Sequence, residues 1–198
     1  MPTYSFPSNL PNPVQLNWRL EPVVLQSVSP LSGATQTVEM PGAGWVFDAQ
    51  WAPRRGTRMD EFEAFLARLR GSSNRFTVWP WHRPVPVGTM RGAPVVAASP
   101  PSGDIVLNIT TTPGATLLAG DFVGVAGELK QVVVGGTANG SGALTVEVSP
   151  PFRAAPAPGA AITWNRPTAT FIAQAAPGIA VASLGFVSIA FGGQEVFP

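Results

Sequence analysis

The chain has 198 residues, enough for one large β domain or two small ones, and its 45% hydrophobic content supports a real core. Charged residues make up only 12%, well below the ~25% usual for soluble domains, and a net charge of +1 argues against general electrostatic capture of nucleic acid or an anionic membrane. With Cys 0, neither a disulfide framework nor a thiolate metal site is available. No apolar run approaches the ~20 residues of a membrane span, and MPTYSFPSNLPNPVQ lacks the basic and apolar regions of a signal peptide. The expectation is a soluble protein made in the cytosol, without membrane insertion.

Gly 21 and Pro 22 punctuate short apolar runs, the pattern of a mainly β chain with many turns. Residues 1–14, with Pro2, Pro7, Pro11 and Pro13, read as an extended arm rather than part of a central sheet. Leu16, Trp18 and Leu20 alternate with Asn17, Arg19 and Glu21, which predicts a half-buried strand. That strand can continue past Pro22 into Val23–Val28 with a bend or bulge, and SPLSGAT at 29–35 is a turn. Thr37–Met40 and Trp45–Trp51 are expected to form a hairpin around Pro41-Gly42-Ala43-Gly44, with Trp45, Phe47, Ala49 and Trp51 on one face.

Residues 57–79 carry the only convincing helix, followed directly by an aromatic strand. Met59, Phe62, Phe65, Leu66 and Leu69 fall at spacings of three and four and share one stripe. Thr57 is the expected N-cap with Asp60 as a short capping-box partner, and Gly71 the C-terminal stop. Asp60, Glu61 and Glu63 near the start and Arg68 and Arg70 near the end match the helix dipole. Each large side chain of the stripe is worth roughly 1.5–3 kcal/mol on burial, so the helix needs a sheet to lie on. Arg75–Trp79 is the strand after it.

Pro80–Pro100 reads as a connector. Five short runs follow, Ile105–Ile109, Phe122–Val125, Lys130–Val134, Leu144–Val148 and Ile162–Trp164, each bounded by Gly, Pro or Asn. They predict a small antiparallel barrel or sandwich, with Asn139-Gly140-Ser141-Gly142 as a loop. Ala169–Gln174 and Gly185–Phe191 return to longer strands, too few for a domain of their own. The expected organisation is a β-barrel or sandwich core with one flanking helix, split into residues 1–97 and 167–198, with a small β-barrel module inserted at 98–166.

Candidate chemistry is sparse. His82 is the only histidine, no G-x-S-x-G elbow accompanies it, and a site of several histidines is excluded. Asp60, Glu61 and Glu63 are neighbours on one helix and cannot face each other across a cleft as glycosidase carboxylates do. Gly135-Gly136 and Gly192-Gly193 lead into no Lys-Ser/Thr helix start. Asp121 reads as a turn acid, because no D-x-D series follows. Arg54, Arg55, Arg58, Arg68, Arg70, Arg75 and Arg83 cluster in residues 54–83 against three acids, while Lys130 is the sole lysine. Helix-dipole logic and interleaved acids favour a structural role for this cluster over DNA tracking. Trp18, Trp45, Trp51, Trp79 and Trp81 could form a sugar-stacking platform, but at alternating positions they fit core or subunit contact better. The expected core and assembly residues are thus Trp18, Trp45, Trp51, Phe62, Phe65, Leu66, Leu69, Trp79 and Trp81. No catalytic residue, cofactor or metal is expected.

The order of parts resembles the distal tail proteins of long-tailed bacteriophages. An aromatic strand and GWVFDAQW precede MDEFEAFLARLRG and NRFTVW, an order similar to the tail-tube core of a β-barrel flanked by one helix. LLAGDFVGVAGELKQVV and LTVEVSPPFRAAPAPGAAITWNRPTATF are similar to modules of phage tail proteins. The resemblance implies a structural, non-enzymatic virion protein. It would form a ring, usually of six copies, at the baseplate or tail-tip end of the tail tube after assembly in the host cytoplasm. Its partners would be further copies of itself, the tail tube protein and the tail-tip hub proteins, with DNA only as passing cargo. The competing expectations are a carbohydrate-binding module using surface tryptophans, or another minor tail or tube protein.

Overall fold

The computed structural model describes residues 1–54, 57–174, 178–181 and 187–197. Alternating apolar residues build a first sheet from both ends of the chain. Its strands are β1 (Thr3–Ser5), β2 (Gln15–Val28), β3 (Thr35–Arg54), β4 (Arg75–Val78), β13 (Ala169–Ala173), β14 (Gly178–Val181) and β15 (Val187–Glu195). The order is β1-β4-β13-β15-β3-β2, with β14 also paired to β15. The proline-rich amino terminus is extended as expected, and β1 runs parallel to β4 at the sheet edge. Phe6, just beyond it, is buried among Phe62, Phe65 and Trp81.

The expected hairpin around Pro41-Gly42-Ala43-Gly44 is not there. β3 is one strand of 20 residues, and the hairpin is β2–β3, turning at 29–34. Glu21 pairs with Gly44 and Val23 with Met40, so Pro22 alone stands opposite residues 41–43. Two prolines that cannot donate to the ladder face each other there, and the extra residues are absorbed as a bulge with Gly42 at a φ of 138°. A Pro-Gly pair signals a break in the ladder; here the break bends a strand instead of reversing it.

Helix α1 (Thr57–Leu69) lies on this sheet through the expected stripe, and Met59, Phe62, Phe65, Leu66 and Leu69 are all buried. Phe62 meets Trp51 edge-on at 4.8 Å and Phe191 at 6.3 Å; Phe65 meets Phe76 at 6.0 Å. The Thr57 side chain expected to cap the helix lies outside what is described, as do Gly185 and Phe186 of the last predicted strand. At the far end Arg70 and Gly71 both adopt positive φ, and Asn74 completes the cap. Its backbone N–H donates to the Leu69 carbonyl at 3.1 Å and its Nδ2 to the Arg68 carbonyl at 2.7 Å.

The second sheet is built from the middle of the chain. It comprises β5 (Val95–Ala98), β6 (Val106–Thr110), β8 (Phe122–Val125), β9 (Glu128–Val134), β11 (Ala143–Ser149) and β12 (Ile162–Thr163), in the order β12-β8-β9-β11-β6-β5. A ribbon of β7 (Thr116–Leu117) and β10 (Gly136–Thr137) lies beside it. β5 falls within the stretch read as a connector, so the second sheet begins before residue 98. The fold is therefore mainly β with one helix. The barrels expected of core and insert are not closed, since no sheet forms a complete cylinder among the described residues. The second sheet comes nearest: one isolated bridge, Val95 to Ala161, joins its two ends. Short, proline-bounded end strands are too brief to continue that ladder.

The second sheet has a core of its own, with Leu107, Ile109, Val123 and Val146 among its buried residues, and meets the first sheet's core through β8 and β9. Phe122 and Leu129, from β8 and β9, pack with the aromatic cluster of the first sheet. Trp45 stands at the joint, 5.4 Å from the Phe122 ring, and its Nε1 donates to the Leu129 carbonyl at 3.0 Å.

Candidate assembly surface

From Pro22 to Val38 the sequence PVVLQSVSPLSGATQTV contains no charged residue. In the fold this is the outer half of the β2–β3 hairpin, paired from Val23–Met40 to Val28–Thr35 and exposed on both faces. Val24, Leu25, Val28 and Val38 lie open along it. Leu31 at the tip is 99% exposed. The tip itself is compact: Ser29 N–H donates to Ala34 O and Gly33 N–H to Ser29 O, each at 2.9 Å. The two-stranded arm thus carries apolar residues that nothing among the described residues of its own chain covers.

At the base of the arm lies a cavity of about 630 Å³. The β3 bulge contributes Met40 and Ala43, the loop after β11 contributes Pro150 to Arg153, and Phe197 closes one side. Beneath it a group of buried charges joins the sheets. Lys130 Nζ bonds Glu128 Oε2 at 2.5 Å, donates to Pro151 O at 2.8 Å and lies 4.7 Å from the Phe152 ring centroid. Arg153 Nη2 donates to Ala43 O and approaches Glu195 Oε2 at 3.5 Å, while its guanidinium stacks on Phe197. Glu195 Oε2 also accepts the Trp45 N–H at 2.9 Å. Burial pushes the Lys130 ammonium below its ordinary range, against the opposing pull of Glu128. Burial likewise raises the Glu195 carboxyl, against the Trp45 N–H and Arg153.

The chain matches no protein-family model and no curated protein. Its site must therefore be read from its own residues. Among the described residues no group of three His, Asp or Glu is placed to hold a metal ion, and no helix is long and apolar enough to cross a membrane.

Trp45, Trp51, Phe62, Phe65, Leu66, Leu69 and Trp81 form one buried cluster, with Trp18 and Trp79 half-buried against it. Trp18 stacks on Phe47 at 5.7 Å, and Trp79 is covered by Arg166 at 4.9 Å. Trp164 is likewise covered, by Arg91 at 5.0 Å. His82 sits at the sheet junction beside Trp18 and Phe122; burial and then Arg83 lower its pKa. Asp121 is fully buried and accepts N–H bonds from Val87, Gly88 and Leu118 at 2.8, 3.1 and 2.9 Å. It pins the 86–88 strap to the second sheet, a larger task than a turn acid. Of the arginine cluster, Arg68 stacks on Tyr4 at 4.5 Å and Arg83 lies 4.0 Å from Asp121; the side chains of Arg54, Arg55 and Arg58 lie outside the described residues. Sequence reasoning read the arm's two strands and its turn at 29–35 but not that they project uncovered, although the charge-free run was a visible signal. It also missed Glu128, Arg153 and Glu195, which no spacing brings together.

Proposed function

We propose that the chain is a structural component of a phage tail tip, closing into a ring of six copies at the distal end of the tail tube. The ring joins the tube to the tail-tip hub and leaves a channel for DNA, and no catalytic step is involved. One observation carries this reading beyond the motif resemblance: the exposed β2–β3 arm, uncharged from Pro22 to Val38. A two-stranded hairpin is marginal alone in water, and exposed apolar surface of this kind marks a contact site. In a ring every copy gives and receives the same contact, so a single arm serves all interfaces. Negative-stain images of the purified protein test the reading. Closed rings with a central hole are expected; monomers at every concentration would overturn it. A carbohydrate platform finds less support, because the half-buried tryptophans are stacked on or covered by their own chain.

A further inference from the structure

We propose that the arm tip, Pro30-Leu31, seats in the cavity at the arm base of a neighbouring copy. This inference rests on the ring reading and names its contact. Knob and socket are both preformed. The hydrogen bonds across 29–34 hold the tip compact with Leu31 projecting, so little ordering remains to be done on docking. The cavity, about 630 Å³, is walled by Met40, Pro150, Pro151, Phe152 and Phe197, which suits an apolar occupant with a bend in its backbone.

Charge points the same way. The outer part of the arm, Pro22 to Val38, brings none, and the cavity offers little net charge, since it is lined by one acid, Glu39, and one base, Arg153. Arg153 engages Glu195, the Ala43 carbonyl and the Phe197 ring through Nη2 and its guanidinium face, while its buried Nε and Nη1 have no partner among the described residues of the chain and are open to a backbone carbonyl of the incoming tip.

The tip does not fill its own cavity. Six residue pairs, Val23–Met40 to Val28–Thr35, separate the two, roughly 17 Å at ~3.3 Å per residue. Knob and socket therefore occupy different places on one surface. Joining them between copies makes a head-to-tail contact, which repeats into a ring when the rotation closes.

The chain contains no cysteine, so an engineered pair reports on this contact without background. Ser102 lines the cavity from the loop between β5 and β6, away from the arm in sequence, and is exposed. The full-length double variant Leu31→Cys/Ser102→Cys, oxidised mildly and run on a denaturing gel without reductant, should give a ladder of covalent oligomers ending at the ring's copy number. Reductant should collapse the ladder, and neither single variant should form one. If Ser102→Cys disturbs its loop, seen as a lowered melting temperature, Leu31→Cys/Met40→Cys should give the same ladder. Assembled rings without a ladder from either pair would overturn this contact while leaving the ring reading standing. A monomeric mass for the unmodified chain at all concentrations would overturn both.

Discussion

At the residue scale the fold depends on a few positions whose neighbours leave no choice. A Cβ on Gly193 would lie 2.8 Å from the Phe47 ring and 2.9 Å from that of Phe76, where those two rings cross at right angles. Gly193→Ala is therefore expected to cost about 1–3 kcal/mol in urea unfolding through overpacking. The Glu128–Lys130 pair should respond asymmetrically. Glu128→Gln leaves a buried ammonium without its counter-charge and should cost about 3 kcal/mol, whereas Lys130→Met removes the buried charge and should cost far less. Because the native Lys130 pKa lies below 10.5, the unfolded chain holds more protons in the window just under that value. The stability of the wild type relative to Lys130→Met should therefore rise with pH through that window. Glu195 has the opposite slope: its native pKa exceeds 4.5, so relative to Glu195→Gln the wild type should lose stability as pH climbs past 4.5. None of this was legible in the sequence. Glu128, Lys130, Arg153 and Glu195 look like ordinary surface charges, because only the meeting of two sheets buries them.

At the element scale, helix α1 was readable because its stripe repeats at the helical period and its ends carry their own stop signals. Its cap was read only in part: Gly71 takes the left-handed turn, but Asn74 satisfies the last carbonyls from three residues further on. The turn at 29–35 was legible, but a second reversal was expected at Pro41-Gly42 for a definite reason. Pro41-Gly42 is the chemistry of a turn, and only the facing Pro22 shows that it is a bulge. Helix and arm should differ sharply on truncation. Phe62→Ala is expected to cost about 3–5 kcal/mol, because Phe62 is wholly buried against Trp51 and Phe191. Leu25→Ala, on the exposed arm, should stay within about 0.5 kcal/mol when the protein is dilute enough to be monomeric. Equal losses in urea unfolding would mean that the arm packs on its own chain.

At the scale of the whole molecule, the first and last parts of the chain make one sheet, with β15 lying between β13 and β3. A strand added from the carboxy-terminal end is a long-range pairing that period and spacing cannot show; it was inferred because two strands are too few to stand alone. The second sheet is not a tethered appendage, since Trp45, Phe122 and the Arg153–Glu195 contact fix it to the first. Two sheets joined at these contacts, with one projecting arm, are suited to a ring in which each copy holds the next at a set angle. The decisive measurement is the mass of the native species by mass photometry, taken for the intact chain and for a variant in which Asn-Gly replaces Val24–Glu39. The intact chain should form a single closed oligomer. The shortened chain should be a monomer with an unchanged melting temperature. An intact chain that stays monomeric, or a shortened chain that still assembles, would contradict the account.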